Sequence, residues 1–144
     1  MFMQKTRKSR YRVNLSSMHS VCEMNYARLC RLFSDYEKSN KADFLVGSVR
    51  VCIEVTERSR YTTIFKINQV GKSENWITGL RLEVRAYHDA SMAEVHSFCT
   101  SKHLAARYNY PNHNMYQEDE KNQQNLFLAD WLKNCLMNGR RALD

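Results

Sequence analysis

Two stretches of strict alternation constrain this chain more than any other feature. Val49, Val51, Ile53 and Val55 alternate with Arg50, Cys52, Glu54 and Thr56. Leu80, Leu82, Val84 and Ala86 alternate with Arg81, Glu83, Arg85 and Tyr87. Successive side chains of a strand point to opposite faces, so each stretch predicts a strand with one apolar and one polar face. The apolar face must be covered by another layer. Phe44-Leu45-Val46 before Gly47 predicts a further short strand. Tyr61 to Gln69 is rich in Thr, Ile and Phe and predicts another, and Met92 to Cys99 predicts the last. Glu57-Arg58-Ser59-Arg60 reads as a hairpin-length break, Gly71 to Asn75 as a loop, and His88-Asp89-Ala90-Ser91 as a turn. Connections this short favour antiparallel neighbours.

The covering layer is also legible. Met18, Cys22, Asn25, Leu29, Leu32, Phe33 and Tyr36 recur at steps of three and four, which predicts an N-terminal helix. Ser20 with Glu23 has the spacing of a capping box, and Ser17 is a rival cap. A second helix is expected from about Glu118 to Asn138, with Leu128, Trp131, Leu132, Cys135 and Leu136 as its apolar stripe. Gly139 is expected as its C′ residue in the left-handed conformation. Asp119 and Glu120 suit the positive end of this helix, and Arg140 and Arg141 fall just past the negative end. The expected fold is α+β: an antiparallel sheet of about five strands with an N-terminal and a C-terminal helix packed on one face.

A chain of 144 residues has the size of one domain. With 43% hydrophobic residues it can fold, and its four glycines and one proline argue against long structureless loops. The net charge of +7 is unevenly spread: Lys5, Arg7, Lys8, Arg10 and Arg12 all precede the first acid, Glu23. The expected organisation is therefore a basic flexible arm over residues 1–12 and a single α+β domain over residues 13–144. Such an arm can contact nucleic acid, and its plainer reading is a solvated terminus. Five unpaired cysteines (22, 30, 52, 99 and 135) point to a reducing compartment. No stretch has the length and apolarity of a membrane span, so no membrane partner is expected.

No phosphate loop, dinucleotide fingerprint, nucleophile elbow or zinc-protease motif is present. His96, Cys99 and His103 have ligand chemistry, but His96 and Cys99 would point to opposite faces of one strand, so no metal site is expected. His88 and Asp89 are the catalytic candidates: an aspartate beside a histidine can fix its tautomer and leave the other nitrogen as a base. A turn role for Asp89 is the competing reading. Asn25 and Asn125 fall on core stripes, with Lys121 one turn before Asn125. Buried amides need partners, so they either tie backbone down or line a polar pocket. Arg60, Arg85 and Arg107, with Tyr61, Tyr87 and Tyr108, complete the ligand-binding candidates, because paired arginines can grip an anion in a fork. Cross-strand ion pairing is the competing reading for Arg81 and Arg85. No cofactor is indicated.

Several motifs carry a family resemblance. They are Cys22-Glu23-Met24-Asn25-Tyr26, Arg60-Tyr61-Thr62-Thr63, Tyr87-His88-Asp89-Ala90 with Ala93-Glu94-Val95, and Ala106-Arg107-Tyr108 with Tyr110-Pro111-Asn112. Asp119-Glu120-Lys121, Gln123, Asn125, Phe127 to Leu132, and Cys135-Leu136 belong with them. At these residues the chain resembles the YqiB-like family of gammaproteobacterial proteins, a domain of unknown function, from about residue 10 to 139. The resemblance implies a bacterial, cytoplasmic protein. It carries over no activity, cofactor or catalytic residue. It also implies that the basic arm is an extension, since the family members begin near residue 10.

Three functions remain open. The preferred one is a non-enzymatic binding or adaptor domain with a protein or a small anionic ligand as partner. The second is a small enzyme acting on a phosphorylated or nucleotide-like metabolite, with His88 as base and Asp89 orienting it. The third is RNA binding through residues 1–12. Geometry separates the first two, because an enzyme needs its groups converging in a concave site.

Overall fold

A computed structural model describes residues 15–70, 80–99 and 117–142. The element order is helix α1 (Leu15–Leu32), strands β1 (Lys41–Val46), β2 (Val49–Arg58), β3 (Thr62–Val70), β4 (Arg81–Tyr87) and β5 (Met92–Cys99), helix α2 (Gln117–Asn138) and strand β6 (Gly139–Arg141). The sheet is antiparallel, in the order β5-β4-β3-β2-β1-β6. The α+β expectation of two helices on one sheet face holds. The five long strands are the expected ones, and β6 is a sixth of only three residues.

Register explains why the alternation works. Phe44 faces Val51, Ile53 faces Ile67, Ile67 faces Leu82, and Val84 faces both Phe65 and Val95. All of these are buried, so one sheet face is a continuous apolar surface. The helices cover it with Leu29, Leu32, Leu128, Trp131 and Leu132. Burying each such side chain contributes roughly 1.5–3 kcal/mol.

Strand β2 runs through Glu57 and Arg58, so the expected break shrinks to Ser59, Arg60 and Tyr61. A bulge between Val55 and Glu57 absorbs the extra residue. Gly47-Ser48 joins β1 to β2, with Gly47 at φ +65°. A glycine at positive φ in the first position is the signature of a II′ hairpin. The expected turn at residues 88–91 is present, with Ser91 at φ +54°.

Three local expectations are corrected. Helix α1 already runs from Leu15, so Ser17 and Ser20 lie inside it and neither is its cap. It ends at Leu32, and a series of turns carries Phe33 and Tyr36 onward; the amide of Phe33 still donates to the Leu29 carbonyl (2.9 Å). Gly139 does stop α2, but not in the left-handed conformation. A Cβ there would lie 2.5 Å from the Cys135 carbonyl oxygen and 3.1 Å from Val46 Cγ2. Glycine is needed because the chain passes so close to the end of α2 and to β1 on its way into β6. Arg141 lies just past the end of α2, and its side chain turns to Asp35. It donates to both carboxylate oxygens of Asp35 (3.0 and 3.3 Å) and lies over the rings of Phe33 and Phe44. The arginine beside it holds the Asp35 carboxyl below its usual pKa.

The basic arm, and Arg107, Tyr108 and His103, lie outside the described residues.

Candidate functional site

Three turns meet at one end of the sheet: the turns after α1, the β2–β3 hairpin and the β4–β5 hairpin. His88 follows Tyr87 on β4. Tyr87 points to the outer face with Arg85, so the next side chain turns inward beneath α1. There its ring is held on three sides. The Tyr26 hydroxyl is 3.0 Å from Nδ1, the Thr63 hydroxyl is 2.7 Å from Nε2, and the Tyr36 ring stacks on it at 5.8 Å and 8°. The amide of His88 donates to the Tyr61 carbonyl (2.8 Å). A neutral imidazole donates through one nitrogen and accepts at the other, so the two hydroxyls satisfy both.

These groups border a cavity of about 400 Å³. Buried Thr63 and half-buried Tyr26, Tyr36 and His88 line it, with exposed Glu37, Ser59 and Arg60 at the rim. Arg58 shapes one side by donating to the carbonyls of Tyr36 (2.6 Å) and Ser39 (2.9 Å) and to Asn40 Oδ1 (2.7 Å). One guanidinium thus locks the turn after α1 to the hairpin. All three acceptors are neutral, so its charge is not cancelled. Arg60 lies over the Tyr61 ring (5.2 Å). Burial, with lesser effects from Cys30 and Glu37, raises the pKa of Tyr26 and pushes Tyr36 up to about 12. Both phenols therefore stay protonated at neutral pH and can donate hydrogen bonds.

The other expected site residues are divided among three places. Asp89 is exposed, and among the described residues no hydrogen bond joins it to His88. The partners that orient the imidazole are Tyr26 and Thr63 instead. Arg85 and Tyr87 lie on the far face of the sheet from His88. There Arg85 donates to His96 Nε2 (3.1 Å), Tyr87 donates to Glu94 Oε1 (3.1 Å), and Glu83 lies 3.6 Å from His96. That is a cross-strand polar ladder, the competing reading of these residues. Among the described residues no three metal-ligating side chains gather.

Lys121 and Asn125 lie at the β5 edge. Asn125 Oδ1 accepts from the amide of Val95 (2.8 Å) and Lys121 donates to the Val95 carbonyl. Asn25 Nδ2 donates to the Asn125 carbonyl (3.2 Å), and Arg28 donates to the Ala129 carbonyl (3.0 Å). This network ties both helices to an edge strand whose backbone would otherwise be open to pairing. These bonds tie down backbone, while Asn25 Oδ1 and Asn125 Nδ2 are buried with no hydrogen-bond partner among the described residues.

Reasoning from the sequence missed Tyr26, Tyr36, Arg58 and Thr63. Tyr26 and Thr63 do fall within the family motifs, and Tyr36 ends the N-terminal apolar stripe. Their convergence on His88 spans up to 62 residues and leaves no local pattern.

The chain matches the family model described as "Protein of unknown function (DUF1249)" over residues 28–141. The chain belongs to this family. Of the residues bordering the cavity, only Tyr26 lies outside the matched span. The uncharacterized protein YqiB of Escherichia coli strain K12 is 37% identical over 138 residues, covering 93% of this chain and 96% of that protein. The YqiB proteins of Escherichia coli O6:H1 and O157:H7 match to the same extent. No solved structure matches.

Proposed function

We propose that this chain is a non-enzymatic binding domain whose cavity beside His88 takes a small anionic ligand. The carrying observation is the charge balance around the 400 Å³ cavity, where Arg58 and Arg60 meet a single acid, Glu37. The volume falls within the ~300–1,000 Å³ of small-molecule sites. The Tyr26 and Tyr36 rings offer apolar contact area, and Arg60 at the cavity offers a charged donor. The enzyme reading is less well supported. A general base needs a free nitrogen and a partner that stabilises the imidazolium, and both nitrogens of His88 already face hydroxyls. Free thiols at Cys22, Cys30, Cys52 and Cys135 fit a reducing, cytoplasmic setting. Among the described residues no helix is long and apolar enough to cross a membrane.

The test is a thermal-shift screen of the full chain against phosphate, benzoate, citrate and sugar phosphates. A ligand that binds only the native state raises the midpoint. At least one anion should do so, with the shift lost in Arg60→Gln and kept in Arg85→Gln on the opposite sheet face. An unchanged midpoint with every anion, or a shift abolished by Arg85→Gln alone, overturns the reading.

A further inference from the structure

Glu37 has no evident place in a site for a simple anion. It stands at the rim of the same cavity as Arg58 and Arg60. Yet among the described residues no ion pair within 4.0 Å joins it to either arginine. Arg58 spends its donors on two backbone carbonyls and the Asn40 amide, and Arg60 rests on the Tyr61 ring. Exposed opposite charges gain little by pairing, so both groups stay available to a ligand. Glu37 rides the turn after α1, Arg60 rides the β2–β3 hairpin, and Arg58 fixes the distance between those two segments. Both charges border the cavity, which the Tyr26 and Tyr36 rings and the buried Thr63 also line.

We infer that the ligand is a zwitterion of the α-amino-acid type with a planar or apolar body. Its carboxylate lies at Arg60, its ammonium at Glu37, and its body against the two tyrosine rings. This deepens the proposed function and rests on it. A single acid against two cations leaves a net positive rim, so the carboxylate supplies most of the attraction and the amine supplies selectivity. The tyrosine rings suit the body of the same ligand, since they add contact area without adding charge.

The experiment is calorimetric titration of the full chain with three probes that share one ring. They are phenylalanine, N-acetylphenylalanine, which keeps only the anion, and phenylalaninamide, which keeps only the cation. Phenylalanine should bind best, N-acetylphenylalanine about fivefold more weakly, and the amide weakest, the size expected of a solvent-facing charge contact. Glu37→Gln should erase the preference of phenylalanine over its N-acetyl form and leave the latter's affinity unchanged. Both Glu37 and Arg60 sit at the solvent-facing rim, so neither variant removes core packing. Equal binding of phenylalanine and N-acetylphenylalanine to the unaltered chain overturns the zwitterion and leaves the anion site standing. So does binding of an inorganic or sugar phosphate when none of the three probes binds. Failure of all probes and all anions overturns both.

Discussion

Gly139 and Gly47 should both resist substitution, for opposite reasons that a matched set of variants separates. At Gly47 the backbone is left-handed (φ +65°) and nothing lies within 4 Å of an added Cβ. Alanine there meets only the conformational penalty, about 1 kcal/mol. Asparagine, which tolerates that conformation, should cost less than alanine. At Gly139 φ is ordinary, and the added Cβ meets the Cys135 carbonyl oxygen at 2.5 Å. That oxygen belongs to helix backbone and cannot swing aside, and Val46 blocks the other direction at 3.1 Å. Relief requires moving β6 off β1, so Gly139→Ala should cost about 2–3 kcal/mol, at the upper end for overpacking. Gly139→Asn should be worse still. Urea unfolding followed by far-ultraviolet circular dichroism measures all four. In heat, each kcal/mol corresponds to about 2–4 °C of Tm for a chain near this length. The reasoning fails if Gly139→Ala is as mild as Gly47→Ala, or if asparagine does better than alanine at residue 139.

Thr63→Val keeps the shape of a buried side chain but leaves His88 Nε2 without its hydroxyl, so urea unfolding should show a loss of about 1–3 kcal/mol. A neutral result would mean that water replaces Thr63. Asn125→Leu frees the Val95 amide at the β5 edge, and hydrogen exchange at that amide should accelerate relative to its β4 neighbours. Unchanged protection would show that Asn125 does not guard the edge. Burial pushes the Cys135 thiol from its ordinary 9.0 up to about 12, and burial with the nearby Glu94 charge pushes Cys22 to about 11. The unfolded thiols ionise first, so their stabilisation is complete below pH 9 and drains away as pH rises toward those values. The slope is up to about 1.4 kcal/mol per pH unit per thiol. Cys135→Ala should flatten the alkaline limb of a stability-against-pH curve, and an unaltered limb would contradict this account.

What was legible in the sequence is what repeats locally. The alternation from Val49 to Val55 and from Leu80 to Ala86 shows which side chains meet, because one buried face forces one register. The stripe on α2 is just as plain, and Gly139 marks its end. The reason for that glycine was not legible, since it depends on Val46, far away in sequence, and on a three-residue strand too short to show a period. The site was half legible. His88 stood out in a polar turn, but Asp89 beside it looked like the natural partner because adjacency is all that a sequence displays. The period of two that turns His88 inward also turns Tyr87 and Arg85 to the other face, away from the histidine beside them. Tyr26, Tyr36 and Thr63 are ordinary core-edge residues until three separate turns bring them to one ring.

The order of strands has a consequence for how the molecule is made. Strands β1 to β5 are laid down side by side in the order of synthesis, so each hairpin can close as soon as it clears the ribosome. The outer flank of β1 has no such neighbour waiting. It is completed only by residues 139–142, the last of the described chain to emerge. Until then the nascent sheet carries a bare row of peptide groups, and the first strand made is the last to be sealed.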